Sequence, residues 1–251
     1  KTLAQFEDLE TLDYDFEYYF YENDSKDNTA SILKEWMTDR RGVFLHENLN
    51  TKKFKSVTDI ERMELMCSYR NKCKDLLKDS KSQYTLLVDS DVTFSKKNLQ
   101  QHIEFMQNFS NCVLSTPNVR QPIKDLCSGE SEDSYYDVYP LLDSNGDTGL
   151  YFRDCPFKNG IDRMRWKLGL PIKCHSAFGG LALIKTEVLK EISWSTNGSC
   201  DHVNFCSEAN LYGDIYVDPK NLVYNIFDLS NFNLNSFEQQ AARQWLKLNE
   251  N

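Results

Sequence analysis

Two aspartates stand one residue apart where a short apolar stretch of the sequence ends. Residues 84–88 (Tyr-Thr-Leu-Leu-Val) are apolar and β-prone, and Asp89, Ser90 and Asp91 follow them directly. Two like charges beside a buried strand cost free energy unless a cation or hydrogen-bond donors compensate them. Hard divalent cations prefer such carboxylate oxygens, together with substrate phosphates. The spacing therefore indicates a metal and diphosphate site, and the alternative is an aspartate-rich turn.

A polar loop nearer the start of the chain offers further hydrogen-bond acceptors. Residues 22–29 (Glu-Asn-Asp-Ser-Lys-Asp-Asn-Thr) follow an aromatic-rich stretch and precede a predicted helix that begins near Ser31. Glu22 and Asp24 are suited to accept hydrogen bonds from ribose hydroxyls or base edges. A capped turn has the same composition, so this loop alone leaves both interpretations open.

Two short motifs in the second half of the chain also carry chemistry. Gly179 and Gly180 stand at a predicted loop-to-strand junction, where missing side chains let the backbone approach a ligand closely. Asp201 and His202 open a predicted helix and offer a carboxylate that can act as a base and an imidazole that can bind a metal. The alternatives are a structural glycine pair and a capping aspartate beside an ordinary histidine.

The periodicity of apolar residues predicts the elements that hold these motifs. Helices are predicted over 2–12, from Ser31, and over 59–77, 98–109, 199–211 and 236–248, and strands at the end of 14–21 and over 44–45, 84–88, 176–184 and 215–217. This alternation is typical of an α/β protein with a mostly parallel central sheet flanked by helices. Residues 118–174 lose the periodicity, and their aromatic content favours an ordered functional loop region. Without a repeat or linker, a single domain over 1–251 is expected.

Composition excludes several classes of protein. The 251 residues include 15 Phe, 13 Tyr and 4 Trp, which is ample material for a core. Because 29 basic residues face 38 acidic ones, the net charge of −9 argues against nucleic-acid binding. The apolar runs are too short to cross a bilayer, so no membrane segment is expected. Eight cysteines without a C-x2-C spacing argue against a zinc site.

The order of the motifs resembles the GT-A class of nucleotide-sugar glycosyltransferases over residues 14–225. The resemblance is carried by E-N-D-S-K-D-N-T at 22–29, Y-R-N-K at 69–72, L-V-D-S-D-V at 87–92, F-G-G at 178–180 and C-D-H at 200–202. The sequence is also similar to the fungal capsule-associated mannosyltransferase family, which shares the loop at 22–29 and the R-N segment, and to glycosyltransferases of large DNA viruses.

This resemblance implies a metal-dependent transfer of a hexosyl or pentosyl group from a UDP- or GDP-sugar to a glycan or glycoprotein. It implies a nucleotide-binding half over 1–117 and an acceptor-binding half over 118–251 with a smaller antiparallel part. Mn2+ or Mg2+ would be held by Asp89, Asp91 and His202, and Asp201 would be the general base of an inverting enzyme. The implied donor-binding residues are Glu22, Asp24, Arg70, Asp89, Ser90, Gly179 and Gly180.

The resemblance leaves several questions open. GT-A domains open with a strand at the nucleotide site, whereas this sequence begins in the following helix, so that strand is expected to be missing or replaced. Residues 118–174 match no single family, which leaves the donor, the acceptor and the stereochemistry undecided. The aromatic residues Tyr135, Tyr136 and Trp194 are candidates for stacking on a sugar, whereas core packing is favoured for Trp166.

Two other classes of function fit the same residues. The first is a noncatalytic nucleotide- or sugar-binding module, and the second is a metal-dependent nucleotidyltransferase or phosphotransferase, which the lack of a G-x-x-x-x-G-K loop disfavours. A viral protein in the host cytoplasm is favoured over a Golgi protein, since glycosylation of the Asn23 sequon would place a sugar inside the loop at 22–29.

Overall fold

The computed structural model describes residues 2–52, 54, 56, 59–124, 131–151, 153–197 and 200–225. Within these ranges the chain forms seven helices and nine strands. In chain order they are α1 (Thr2–Leu9), β1 (Tyr18–Asn23), α2 (Thr29–Trp36), β2 (Gly42–Glu47), α3 (Ile60–Leu76), β3 (Tyr84–Val88), β4 (Val92–Thr93), α4 (Lys96–Asn108), β5 (Cys112–Lys124), β6 (Ser131–Tyr135), α5 (Gly160–Lys167), β7 (Ile172–Cys174), β8 (Leu181–Lys185), α6 (Thr186–Glu191), α7 (Asp201–Ala209) and β9 (Asp214–Asn225). The helix predicted over 236–248 lies outside the described residues.

The two long helices begin where side chains cap their first turns. The carboxylate of Asp59 accepts hydrogen bonds from the backbone N–H groups of residues 61 and 62 at the start of α3. At the start of α4, Ser95 and Asn98 form a capping box, in which the Ser95 N–H donates to Asn98 Oδ1 at 2.9 Å. Such caps satisfy backbone donors that have no partner inside the helix. They confirm the helices predicted over 59–77 and 98–109.

The strands form two separate sheets. In the larger sheet the strands are ordered β3-β8-β5-β9-β4, and β6 also pairs with β5 and β7 with β9. The smaller sheet is the parallel pair of β1 and β2. Among the described strands of the larger sheet, β5 and β9 are the only parallel neighbours, and the other neighbours are antiparallel. The prediction of a mostly parallel sheet is therefore wrong, because the sheet is mixed.

Two of the antiparallel strands lie in the region that was predicted to be irregular. Residues 118–174 contain the end of β5, all of β6 and β7, and helix α5. Pro117 interrupts the pattern of β5, and the register of the β5–β9 pair shifts between Pro117 and Asn118. Proline removes a backbone donor from a ladder and is rare inside strands, so the sequence of β5 does not show the usual strand pattern.

Strand β8 is buried on both faces and connects the two main parts of the core. Ala182 and Ile184 pack into one cluster with Leu189 of α6 and Phe205 of α7. Leu181 and Leu183 point to the other face, in a cluster that includes Phe6 of α1 and Leu99 of α4. Burial on both faces explains the continuous apolar run at 181–184, since alternation is expected only for strands with one wet face. The core thus fixes the start of β8, where the two glycines lie.

Three of the four aromatic residues considered for sugar stacking belong to the core. Tyr135 and Trp166 meet edge to face, with ring centroids 5.8 Å apart, in a third apolar cluster. Trp194 is buried against Phe205, with ring centroids 4.0 Å apart. Core packing of Trp166 is confirmed, and only Tyr136 of this group stays half-buried next to a cavity.

Two further observations concern the described residues as a whole. No helix among them combines the length and the apolar character that a membrane span requires. The seven cysteines in the described ranges, including Cys200 and Cys206, are free thiols.

Gly42 and Gly160 offer a matched test of the fold. Gly42 pairs with Tyr18 at φ +134°, and a Cβ there would lie 1.8 Å from the carbonyl oxygen of Tyr18, whereas a Cβ at Gly160 meets nothing within 4 Å. We expect Gly42→Ala to lower the free energy of unfolding by roughly 3 kcal/mol or more, since strain of this kind alone costs about 1–3 kcal/mol. Gly160→Ala should be neutral or stabilise by up to about 1 kcal/mol. Urea denaturation of both variants measures this, and equal unfolding midpoints would contradict the β1–β2 pairing.

Candidate active site

The carboxyl end of β3 places Asp89 against the start of β8. The Asp89 N–H donates to the carbonyl oxygen of Gly180 at 2.8 Å, which extends the pairing of the two strands. Gly180 has φ +71°, and a Cβ there would lie 2.7 Å from Val92 Cγ2 and 3.5 Å from Asp89 Oδ2. A side chain at this position would therefore meet Val92 and the carboxylate. Glycine is required here both for its backbone conformation and for the close approach to Asp89.

Gly179 connects the same turn to a carboxylate that the sequence reasoning missed. Its N–H donates to Asp137 Oδ2 at 2.9 Å. It has φ +75°, and a Cβ there would lie 2.5 Å from Val119 Cγ2. Asp137 follows β6 in the region without periodicity, and the only local signal for it was the polar and aromatic run Asp-Ser-Tyr-Tyr-Asp at 133–137.

Arg70 and Asp201 form an ion pair beside these aspartates. Arg70 comes from α3, and Asp201 is the first residue of α7. Their side chains are 20% and 10% exposed, so the charges are largely removed from water. Such a pair is strongly destabilised when one partner is lost, because the other charge then stays buried and unpaired.

These side chains surround one cavity of about 150 Å³. Four of the predicted site residues line it, namely Arg70, Asp89, Asp201 and His202. The other lining residues are Arg62, Met63, Met66, Tyr136, Asp137, Tyr139, Pro140 and Cys200. The structure therefore brings together the helix before the Asp89 strand, the end of that strand and the start of α7.

Burial raises the pKa values of two carboxyl groups at this cavity. For Asp89 burial raises the pKa to about 6, with Arg70 lowering it and the charges of Asp91 and Asp201 raising it. For Asp137 burial raises the pKa to about 7, although the N–H of Gly179 and the charge of Arg70 act in the opposite direction. Burial therefore disfavours the charged form of both carboxyl groups more than any other influence on them.

His202 is held as a neutral imidazole between two aromatic side chains. Its ring stacks on Phe178 with centroids 3.8 Å apart, and the indole N–H of Trp194 donates to its Nδ1 at 3.4 Å. Burial lowers the pKa of His202 well below its usual value. A hydrogen bond accepted at Nδ1 matches the neutral tautomer that carries its proton on Nε2.

Glu22 lies at the end of β1 and is already paired within the protein. Its Oε1 accepts from the N–H of Ser25 at 2.9 Å, and its Oε2 is 2.5 Å from His46 Nδ1 on β2. The side chain is buried and does not line the cavity of about 150 Å³. Glu22 therefore fixes the start of the loop at 22–29.

Asp24 connects that loop to the segment after β2. Its two carboxylate oxygens accept hydrogen bonds from the backbone N–H groups of residues 49–51 at 2.7, 2.8 and 2.9 Å. These bonds, the one from Thr51 first, hold the pKa of Asp24 well below its usual range. Asp24 has φ +64°, a conformation that aspartate adopts more readily than most residues. The partners lie about 25 residues away in sequence, so the spacing could not reveal them.

The remaining two residues of the aspartate motif lie outside the lining of this cavity. Ser90 is exposed, and its carbonyl oxygen accepts from Thr2 Oγ1 at 2.9 Å. Asp91 is half-buried, and its negative charge lies close enough to raise the pKa of Asp89. Neither lines the cavity of about 150 Å³.

The donor set at Asp89 and Asp91 fits a cation that is shared with a ligand. Among the described residues, no three His, Cys, Asp or Glu side chains lie close enough together to hold a metal ion. Mg2+-type cations nevertheless bind through one or two carboxylates and take their other ligands from phosphates and water. Two carboxylates that stand one residue apart at the end of a strand match this type of binding.

Comparison with known proteins finds similarity among solved structures. No protein-family model and no curated protein sequence matches the chain. Among solved structures, the chain matches GalNAc-T7, crystallised with UDP, GalNAc and Mn2+, at a TM-score of 0.51 and 13% sequence identity. The fold is like that of a GT-A glycosyltransferase. The match covers 86% of this chain but only 39% of GalNAc-T7, so this chain corresponds to less than half of that protein.

At this level of identity the GT-A likeness concerns the fold alone. It confirms the coarser part of the resemblance, an α/β fold of the glycosyltransferase type. The comparisons give no support to the narrower resemblance to fungal capsule-associated or viral enzymes, or to a viral origin.

The two raised pKa values predict how stability depends on pH. The ordinary pKa of an aspartate is about 3.9, so between about pH 4 and 7 the folded protein binds more protons here than the unfolded chain. Stability should therefore fall as the pH rises through this window, by up to about 1.4 kcal/mol per pH unit for each group. We expect Asp137→Asn to flatten this dependence, because it removes the group with a pKa of about 7.

Urea denaturation at pH 5, 6 and 7 in the presence of EDTA measures this effect. Asp39→Asn is the control, since Asp39 is exposed and does not line the cavity. An unchanged pH dependence in Asp137→Asn would show that this carboxyl group is not buried as described.

Proposed function

We propose that the chain is a metal-dependent glycosyltransferase that moves a sugar from a nucleotide-diphosphate donor to a hydroxyl group of a glycan or glycoprotein. The observation that carries the proposal is the meeting of Arg70, Asp89 and Asp201 at one cavity, at the carboxyl end of β3. In open α/β sheets, ligands bind at the carboxyl ends of strands. The GT-A-like fold makes a nucleotide-sugar the first ligand to test.

Asp89 and Asp91 are the residues proposed to hold Mn2+ or Mg2+. When bound, the cation would supply positive charge against the diphosphate that leaves with the nucleotide. The raised pKa of Asp89 supports this role, because burial disfavours its charged form and a bound cation would offset that cost. His202 lines the same cavity as Asp89 and stacks on Phe178, and its hydrogen bond from Trp194 favours a positioning role over metal binding.

The donor site is proposed to extend from this cavity toward the end of β1. GalNAc-T7 was crystallised with UDP, and a UDP- or GDP-sugar is the donor proposed here. Ser90, Gly179 and Gly180 remain predicted donor contacts. Glu22 and Asp24 use their carboxylates within the protein, so they would shape the nucleoside site through the loops that they hold.

Asp201 is the proposed general base if the reaction inverts the anomeric centre. The acceptor oxygen would bond to the anomeric carbon, the bond from that carbon to the diphosphate oxygen would break, and the acceptor proton would pass to the carboxylate. Arg70 orients Asp201 through the ion pair, and both line the cavity. In a retaining reaction Asp201 would position the substrate instead.

Release of nucleotide from sugar donors tests the metal site. We expect the protein to release nucleotide from one of the UDP-, GDP- or dTDP-sugars only when Mn2+ or Mg2+ is present. Asp91→Asn should lower this rate by about 100-fold or more, since the loss of a charged ligand removes stabilisation of the leaving group. Asp39→Asn, which changes an exposed aspartate, should retain the rate.

Release that is independent of metal, or equal in Asp91→Asn and the unchanged protein, would contradict the proposal. Tight donor binding without release by the folded protein would instead support a noncatalytic binding module.

The role of Asp201 is tested by separating catalysis from binding. We expect Asp201→Asn to lower kcat for sugar transfer by about 10²- to 10⁴-fold, while the KM for the donor changes only a few-fold. Asp201→Glu should restore part of the rate, because it returns a carboxylate that can take the proton. A kcat that is unchanged in Asp201→Asn, or the same loss in both variants, would remove Asp201 from the role of base.

A further inference from the structure

Helix α5 presents an apolar face to solvent. Ile161, Met164 and Leu168 are each more than half exposed, and Leu168 continues the last turn of the helix. Their spacing of three and four residues places them on one side of α5. We call these three residues the apolar stripe, and the exposed Leu170 follows it directly. Single apolar side chains are common on protein surfaces, whereas a row of them marks an interaction surface.

The opposite side of α5 faces the core. Its two buried residues are Asp162 and Trp166. The ring of Trp166 meets that of Tyr135, and Asp162 Oδ2 accepts hydrogen bonds from the N–H and the hydroxyl group of Ser144 at 3.1 and 2.6 Å. An ordinary surface helix turns its apolar side inward and its polar side toward water. Because α5 buries an aspartate and exposes the apolar stripe, core packing does not explain why the stripe is apolar.

Basic side chains accompany the apolar stripe. Five of them lie on α5 or next to its ends, namely Lys158, Arg163, Arg165, Lys167 and Lys220. The two arginines use their Nε–H groups for backbone carbonyls, those of Phe157 at 3.3 Å and Pro171 at 2.7 Å. None of the five takes part in an ion pair with another described residue. Their positive charges therefore have no opposite charge beside them in this part of the protein.

The charge of this surface is opposite to that of the whole chain. Residues 153–173 include six basic and two acidic residues, whereas the chain has a net charge of −9. Of the two acidic residues, Asp154 pairs with Arg120 at 2.5 Å and Asp162 is buried. The exposed part of this region is thus positive, and a partner with negative charge fits it best.

The shape of the surface favours a lipid bilayer as that partner. The apolar side chains project from a helix, which is a convex element, and they need no matching pocket to enter the headgroup region of a bilayer. Helices that lie at bilayer surfaces combine apolar side chains with Lys and Arg in this way. Anionic headgroups attract the basic residues, while the apolar side chains leave water.

We propose that α5 binds the surface of an anionic lipid bilayer, with the apolar stripe and Leu170 in the headgroup region and the five basic residues against the lipid phosphates. Such binding would hold the protein at a bilayer surface without a membrane-spanning helix. The proposal rests on the surface of α5 and is independent of the proposed enzymatic function.

Sedimentation with lipid vesicles tests the proposal. We expect the protein to bind vesicles with about 30% phosphatidylserine at least 10-fold more tightly than vesicles of phosphatidylcholine alone, since only the former attract the basic residues. Binding should weaken as NaCl is raised, because salt screens this attraction. Met164→Ser and Lys167→Glu should each weaken binding by about 5-fold or more, since one removes apolar contact and the other reverses a charge.

Helix α2 supplies matched controls. It has eight residues, as α5 has, and its exposed Ile32 and Lys34 stand outside the proposed surface. Ile32→Ser and Lys34→Glu make the same kinds of change as the two α5 variants and should leave vesicle binding unchanged. All four positions are exposed, so the urea unfolding midpoints should stay close to that of the unchanged protein.

Several results would overturn the proposal. Failure of the monomeric protein to bind either kind of vesicle would do so, and would leave another protein as the partner of the apolar stripe. Equal binding to both kinds of vesicle, or equal losses in the α2 and α5 variants, would also contradict it. A dimer in light scattering that Met164→Ser dissociates would show that a second copy of the chain covers the stripe instead.

Discussion

The negative charge of Asp89, at the end of an apolar strand, is the constraint on which the site depends. Strand β3 carries this carboxylate to the edge of the larger sheet, where burial disfavours its charged form. The guanidinium of Arg70 from α3 opposes this effect but is shared with Asp201 of α7. Gly180 allows β8 to start in contact with Asp89. The helices and strands around the site thus hold these few charged side chains in position.

An acidic site in an acidic protein determines what it can bind. The net charge is −9, and Asp137 and Asp201 line the same cavity as Asp89. A diphosphate would be repelled by such a surface unless a cation accompanies it. The same argument gives Asp91 a role beside Asp89, where it adds negative charge and stays partly accessible to solvent. Metal dependence is thus a physical requirement of the proposed function.

Those parts of the site that depend on short local patterns could be predicted from the sequence. The aspartates after β3, the glycine pair before β8 and Asp201 at the start of α7 each stand at a strand or helix end that the sequence marks. Asp137 was missed, because it follows a region without periodicity. The partners of Asp24 lie on a loop about 25 residues away, and side-chain pairing over that distance cannot be read from spacing. The mixed sheet was missed for a similar reason, since antiparallel pairing in β5 and β8 depends on long-range contacts and Pro117 hides the pattern of β5.

Anomalous diffraction at the manganese edge tests the central claim most directly. Crystals of the protein would be soaked with Mn2+ and with UDP or GDP. The account predicts a manganese peak bonded to the carboxylates of Asp89 and Asp91, with diphosphate oxygens as further ligands. A structure in which both carboxylates point into solvent, with neither metal nor diphosphate beside them while the nucleotide is bound elsewhere, would contradict it.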